Sequence, residues 1–586
     1  SEAEAALYLA DEDSGLLRRI SLTRELTDPP PFADPPAAAV DVAATETSVK
    51  LPGRPAQVLS LGDVVLVTVR DPGLLLVLRA GELSELARVD LPPDAWGLAV
   101  SPDGASAYVS SAWTHKVLKI DLAAKKVVWS VDVAREPRGV AVSADGRTVW
   151  VSHLVGADIT VIQDGAEPSV ARAPLPPDPA ETLAGETISA SLGYAATLAP
   201  DGRRLFVARH ALGAFWGWQG NPTVDVLVTA TSRPLAPARK GRPMGTFTTD
   251  DMSRMPWLAD ASGMRAESDA ARWQQPRAMI YRKKTHHLLV ASEGQALLAE
   301  LDALSVSPGL VTNRYYRLGG LFPTDPTKIQ MPPRCGAPTG VALSEDEDVA
   351  WVYCRTTDNL VAVRLTPDGE RALRKEVTYV AEGAFHEKLS PWGPFAHAAL
   401  AVEPRPEALA IGRRLYFDAT EPVVSEAMAC AGCHPEGRDD GHVWREQPNK
   451  NGGPNDANFL AGPSLSLPRF GGSADEAQLF GYARQTPMLA GRVDALGPYG
   501  WHGESPSLVE RIRAGFGLHR SELLRTDGQT LAARANPIAQ FVREGLVPPP
   551  RAKRALTEQE ERGKVIFSSQ KTQCATCHPA DRGYTD

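Results

Sequence analysis

No run of apolar residues in this chain approaches the roughly 20 that a membrane-spanning helix needs, so no membrane span is expected. Positive charge is not in excess either. There are 62 Lys and Arg against 71 Asp and Glu, and a net charge of −9 makes neither nucleic acid nor an anionic membrane surface an expected partner. The opening "SEAEAALYLADEDSG" lacks the basic and apolar regions of a signal peptide. It reads as a mature N-terminus with any export signal already removed, or as an engineered start. Cysteine is sparse: there are six, and four of them fall in two copies of one short pattern, C-x-x-C-H. The other two, Cys335 and Cys354, lie 19 positions apart, and two readings stand: a disulfide, which fits an oxidising compartment, or a pair of buried free thiols. What is present is ordinary for a soluble globular protein, with 43% hydrophobic and 23% charged residues. The length of 586 residues exceeds one hydrophobic core and calls for at least two domains.

The first four hundred residues repeat. "WGLAVSPDGASAYVSSAWTHKVLKIDL" from Trp96 returns as "RGVAVSADGRTVWVSHLVGADITVIQ" from Arg138, and Asp103-Gly104 recurs as Asp145-Gly146 after 42 residues. Each unit reads as an alternating strand, an Asp-Gly hairpin turn, a second strand, a polar turn and a third strand. Further copies bring the number to seven before about residue 366. A period near 40 residues with several strands per unit predicts a seven-bladed β-propeller over residues 1–402. The N-terminal strand is expected to complete a blade with strands between "EVTYVAEG" and "AHAALAVEP". The stretch "YVSSAWTHKVLKIDLAAKKVV" resembles the YVTN-type propeller repeat, which implies this fold but no particular function. Insertions are expected around 165–185, 231–275 and 303–336; the second carries four methionines and reads as a cap or packing loop. His153 and His210 each follow a blade strand and read as structural or merely exposed.

The C-terminal part carries the chemistry. "AMACAGCHPEG" places Cys430 and Cys433 directly before His434, and "TQCATCHPADRG" places Cys574 and Cys577 directly before His578. Two intervening residues match the span between the vinyl groups of a haem, and the adjacent histidine then falls beneath the iron as proximal ligand. A structural zinc site needs four ligands, and neither motif has a second pair at zinc spacing. Each motif is therefore expected to hold a covalent haem c.

The surroundings sharpen this. "EALAIGRRLYFDATEPVVSEAMACAGCH" resembles the opening of bacterial dihaem cytochrome c peroxidases and the related MauG-type enzymes. "RQTPMLAG" at 484–491, "YGWHGESPSLVERI" at 499–512 and "LTEQEERGKVIFSSQKTQCATCH" at 556–578 are similar to further motifs of that family, in the same order. The resemblance spans residues 407–586 and implies a mostly α-helical dihaem cytochrome domain: a first haem subdomain at 403–550 and the start of a second at 551–586. The first haem would react with peroxide and the second would receive electrons. Trp501 occupies the position of the interhaem tryptophan, or is a core aromatic. His442 is a candidate sixth ligand of the first haem, or a surface histidine. His502 and Glu504 are alternative distal acid–base groups, and His502 stands where the family has Asp. Gln485 replaces the asparagine that binds the interhaem calcium in the family, which puts that calcium in doubt. The sequence ends at residue 586, eight residues after His578, so the family segment bearing the second haem's distal ligand is not in it.

The expected protein is thus an exported, periplasmic or extracellular, dihaem peroxidase. Hydrogen peroxide is its oxidant, and its propeller serves as a platform for a redox partner, such as a small cytochrome or copper protein, or for a protein substrate. The alternative is a non-catalytic electron-transfer protein with both haems six-coordinate. The spin state and peroxide reactivity of the iron separate the two.

Overall fold

The computed structural model describes residues 6–21, 40–41, 45–176 except 157, 191–212, 220–235, 273–318 except 311, 329, 335–365, 377–379, 385–387, 393–425 except 402 and 422, 429–446 except 442, 482–493, 497–500, 505–519, 528–549 and 555–580. Seven sheets follow one another and form a propeller. Blade 1 comprises Ala6–Asp11, Leu16–Ser21 and Thr45–Lys50. Blades 2, 3 and 4 begin with Pro55–Leu61, Ala95–Val100 and Pro137–Val142, and blades 5, 6 and 7 with Ser191–Leu198, Pro276–Arg282 and Pro338–Leu343.

The turns follow from the sequence. Asp103 accepts hydrogen bonds from the Ser101 hydroxyl at 2.5 Å and the Ala105 N–H at 3.0 Å. Asp145 repeats this with Ser143 and Arg147, and Asp346 with Ser344 and Asp348. Gly104 and Gly146 then take φ of 71° and 72°, where a glycine costs nothing sterically. A further latch joins neighbouring blades. Thr68 donates to the Trp96 carbonyl, Ser110 to the Arg138 carbonyl and Ser152 to the Gly193 carbonyl, at 2.7–2.8 Å.

An apolar cluster fills each interface between successive blades, from Leu17, Val65 and Leu76 between blades 1 and 2 to Leu289, Val352 and Val361 between 6 and 7. The ring closes through Ile20 of blade 1 against Val349, Trp351 and Phe395 of blade 7. Non-polar faces that no blade can cover alone are buried this way, which is why the units must close.

Three expectations change. Blades 2 to 6 have four strands, not three; the outermost, such as Glu85–Asp90 and Ser169–Pro174, are largely exposed and lack an apolar signature. Thr312–Arg317 is likewise the fourth strand of blade 6, inside what reads as the 303–336 insertion. The N-terminal strand does not complete the last blade: Ala6–Asp11 pairs with Leu16–Ser21 in a sheet of its own. Blade 7 is finished by Gly393–Ala399, with the short Val40–Asp41 added in parallel beyond it, and Val377–Tyr379 pairs separately with Phe385–Glu387.

Where the chain leaves blade 7 it starts another repeat and abandons it. Glu403-Pro404-Arg405 matches Glu136-Pro137-Arg138, which opens blade 4. Pro406 stands where blade 4 has Gly139, and helix α1, Glu407–Phe417, begins immediately after it. Proline carries no N–H for a strand ladder, whereas Glu-Ala-Leu-Ala are strong helix formers. Among the described residues blade 1 consequently has three strands.

Beyond this point most of the described elements are helices. After α1 come a single turn α2, Cys430–Cys433, then α3, Leu508–His519, and α4, Gly528–Glu544. Helices α1 and α4 pack at Gly412, where an added Cβ would lie 1.9 Å from the Pro537 carbonyl oxygen. Tyr416, Phe417, Phe541, Ile538, Leu508 and Phe516 form the core of this part, and Ala431 and Cys430 of α2 pack against it. Further on, α5, Glu558–Phe567, and the turn α6, Cys574–Cys577, follow.

Candidate functional site

Turn α2 carries the first motif. The His434 N–H closes it on the Cys430 carbonyl at 2.8 Å, so both cysteines and the histidine project from one helical turn. The His434 ring is oriented by chain 53 residues away: its Nδ1 lies 3.0 Å from the Pro487 carbonyl. A carbonyl can only accept, so Nδ1 carries the proton and Nε2 bears the ring lone pair. Pro487 belongs to "RQTPMLAG", and that segment is pinned in turn. Leu489 and Ala490 N–H groups both donate to the Gly437 carbonyl, at 2.8 and 2.9 Å. Gly437, at φ 77°, leaves room for them, since a Cβ there would sit 2.8 Å from Leu546 Cδ1 and 3.0 Å from Ala490 Cβ. Tyr416 of α1 donates to the His434 carbonyl. Burial pushes the Cys430 thiol up to about 12, so the free thiol stays protonated near neutral pH. Cys430, Cys433 and His434 are the described residues able to hold a prosthetic group here.

The segment that follows, Pro435–Asp440, lies in the rim of the propeller. Arg438 is 2% exposed and reaches Asp94 at 2.5 Å and Glu136 at 2.6 Å. Glu436 reaches Arg277 at 2.5 Å and Arg70 at 3.2 Å, and Asp439 pairs with Arg135 at 3.0 Å. On the other side of the motif, the Ala429 N–H donates to Gln275 Oε1 at 3.0 Å. The guanidinium groups of Arg70 and Arg138 each lie 4.5 Å from the Trp96 ring centre. Farther out, Arg413 of α1 pairs with Asp13, which also holds Arg355 at 2.9 Å. Burial by itself would raise the carboxyl groups of Asp94 and Glu436. Arg70, Arg438 and Arg138 around Asp94, and Arg70, Arg277 and Arg138 around Glu436, outweigh it and hold both well below the usual carboxylate range.

Sequence reasoning missed this rim. Asp94, Glu136, Gln275 and Ala337 occupy the same position before the inner strands of blades 3, 4, 6 and 7, all at positive φ between 50° and 67°. A β-bulge follows each of them. Left-handed backbone is unfavourable for such residues and is sustained only where surrounding structure enforces it. A bulge re-aims the side chain beside it. The signal was in the repeat openings "DAWG", "EPRG" and "QPRA", read against "PEGRDD" directly after the first motif.

The second motif is simpler. A capping box on Thr557 and Glu560 starts α5, none of whose residues is buried. In α6 the His578 N–H returns to the Cys574 carbonyl at 2.9 Å, as in α2, and the exposed His578 ring lies 6.5 Å from that of Phe567. Gln485 is exposed, in a short strand paired with Val443–Glu446. His442, Trp501, His502 and Glu504 lie outside the described residues, as does most of the Met-rich insertion. His153 is buried between the Arg135 carbonyl at 2.9 Å and the Thr160 hydroxyl at 2.8 Å, and His210 is buried in blade 5. Cys335 and Cys354 form a disulfide.

No family model matches the sequence, and no curated protein matches it. Among solved structures, Kuenenia stuttgartiensis hydrazine synthase is similar at 16% identity over 52% of this chain and 74% of that one, with a TM-score of 0.36. A functionally unknown protein from Desulfotomaculum acetoxidans is similar at 12% over 63% and 95%, with a TM-score of 0.38. Virginiamycin B lyase from Staphylococcus aureus is similar at 10% over 61% and 89%, with a TM-score of 0.37. Likeness of this degree carries no functional argument.

Proposed function

We propose that this chain is an exported dihaem c-type cytochrome that reduces peroxide, with Cys430, Cys433 and His434 holding one haem and Cys574, Cys577 and His578 the other. The observation that carries the reading is the bond from His434 Nδ1 to the Pro487 carbonyl. Histidines that ligate metals characteristically give their other ring N–H to such an acceptor, which fixes the tautomer and aims the second nitrogen. Here the acceptor comes from one of the segments that resemble the peroxidase family. The bound haems supply the iron and the one-electron chemistry. For each haem the chain would supply two thiols for thioether bonds and a histidine imidazole as iron ligand, and at the first motif also the contacts that orient that ring. Reduction of hydrogen peroxide to two waters consumes two electrons and two protons, and the electrons are to come from a soluble redox protein. The Cys335–Cys354 disulfide supports an oxidising compartment.

The partner would not use the inner rim of the propeller between Asp94 and Gln275, since Glu436, Arg438 and Ala429 already occupy it. The opposite face and the blade edges are left for docking.

Protein made in cells competent for haem attachment should, when denatured, show a mass excess of two haems, falling to one in Cys430→Ala/Cys433→Ala. A bare polypeptide mass defeats the reading. With two haems present, an optical and EPR titration with peroxide, the second haem pre-reduced, should show a high-spin ferric haem consumed by peroxide. Two low-spin haems inert to peroxide make the chain an electron-transfer protein instead.

A further inference from the structure

We infer that the propeller is part of the first haem site: Asp94, Glu136 and Arg277 are positioning residues that set the orientation of His434 through Arg438 and Glu436. This rests on the haem reading above and goes beyond it, because it gives the repeats a role in the chemistry rather than in partner docking.

The turn Cys430–His434 is anchored to the propeller on both sides. Upstream, the Ala429 N–H is held by Gln275 Oε1 at 3.0 Å. Downstream, two side chains within four residues of His434 are gripped: Glu436 by Arg277 at 2.5 Å, and Arg438 by Asp94 and Glu136 at 2.5 and 2.6 Å. Glu436 takes φ 55° and Gly437 φ 77°, a doubly left-handed path that lets one side chain after another turn toward the rim. The Gly437 carbonyl, between the two gripped residues, is the acceptor for Leu489 and Ala490. That places Pro487, and Pro487 orients the His434 ring. Rim, loop, Pro487 segment and imidazole therefore form one chain of direct contacts. Arg438, Asp94 and Glu136 are all nearly inaccessible to water, so no solvent can replace a lost partner. Asp94 keeps Arg70 and Glu136 keeps Arg138 when Arg438 is lost, so the rim stays paired while the loop loses its direct tie to it.

The test uses the full-length dihaem protein. Arg438→Met keeps the length and apolar stem of the side chain and removes the fork between Asp94 and Glu136. Arg438→Lys restores the charge without the bidentate geometry. Both haems should stay covalently attached. In Arg438→Met the EPR g-values and the reduction potential assigned to the His434 haem should shift, and those of the His578 haem should not; Arg438→Lys should lie between Arg438→Met and wild type. Should Arg438→Met fail to fold, Glu136→Gln, which leaves Asp94 on Arg438, should shift the same haem in the same direction by less. Unchanged signals for the His434 haem in a folded, two-haem variant overturn the inference and leave the haem reading standing. Equal shifts at both haems also overturn it, since they mark a global disturbance. Wild-type protein without covalent haem removes both.

Discussion

Gly412 gives the sharpest check on the helical part of the molecule, because two effects of opposite sign meet at one atom. In an exposed helix, replacing glycine by alanine stabilises by about 1 kcal/mol through backbone entropy. At Gly412 the new methyl would lie 1.9 Å from the Pro537 carbonyl oxygen, 2.4 Å from its carbon and 3.0 Å from the Ile538 nitrogen. Non-bonded carbon contacts settle at about 3.5–4.0 Å, so α1 and α4 would have to separate by roughly 1.5 Å. The obstacle is helical backbone, which cannot rotate away as a flexible side chain could. Overpacking of this kind costs about 1–3 kcal/mol, and a backbone collision belongs at the upper end. The net expectation for Gly412→Ala is a loss of about 2 kcal/mol, from loosening of the Tyr416–Phe541 and Phe417–Phe541 ring contacts, now 5.3 and 6.3 Å between centres. Gly515 in α3 supplies the control, since a Cβ there meets nothing within 4 Å. Gly515→Ala should gain about 1 kcal/mol. Urea unfolding followed by helical circular dichroism measures both. If Gly412→Ala proves as stable as wild type or more so, the crossing is not as tight as described and the reasoning fails.

Further expectations rest on separate parts of the structure. Burial lowers His153 from 6.5 to about 4, so between these values the unfolded chain binds the proton and the folded one does not. Stability should therefore fall as pH drops from about 6.5 toward 4, by up to about 3 kcal/mol, and His153→Gln should flatten that part of the pH–stability curve. The Cys335–Cys354 disulfide closes a loop with a sequence separation of 19, and Cys335→Ala/Cys354→Ala should lower stability by about 3 kcal/mol on the chain-entropy model, read as a lower thermal midpoint. Thr557 caps α5 by accepting from the Glu560 N–H. Thr557→Ala should cost that helix about 1 kcal/mol, seen as severalfold faster amide exchange across 558–567 with the propeller amides unchanged.

The sequence by itself determined whatever depends on local chemistry. Asp103-Gly104 and its repeats dictate a hairpin because the aspartate bonds its own turn and the glycine accepts positive φ, and seven repeat units, with or without that dipeptide, imply a ring. The spacing of Cys430, Cys433 and His434 places all three on one helical turn, and the 19-residue interval of Cys335 and Cys354 left a disulfide open, which the structure contains. The outer strands escaped because their burial is slight: Ser169–Pro174 is almost wholly exposed, so selection for a period-2 apolar pattern is weak there. The closure of the ring was misjudged because pairing between Val40–Asp41 and Gly393–Ala399 joins segments more than 350 residues apart. The same holds at the site. Nothing local says that Arg438 belongs to Asp94 and Glu136, that Pro487 aims His434, or that Gly412 must be small for Pro537. Those facts arise only when segments remote in sequence pack together: Arg438 against the buried carboxylates of the propeller rim, and His434 and Gly412 against other parts of the C-terminal region.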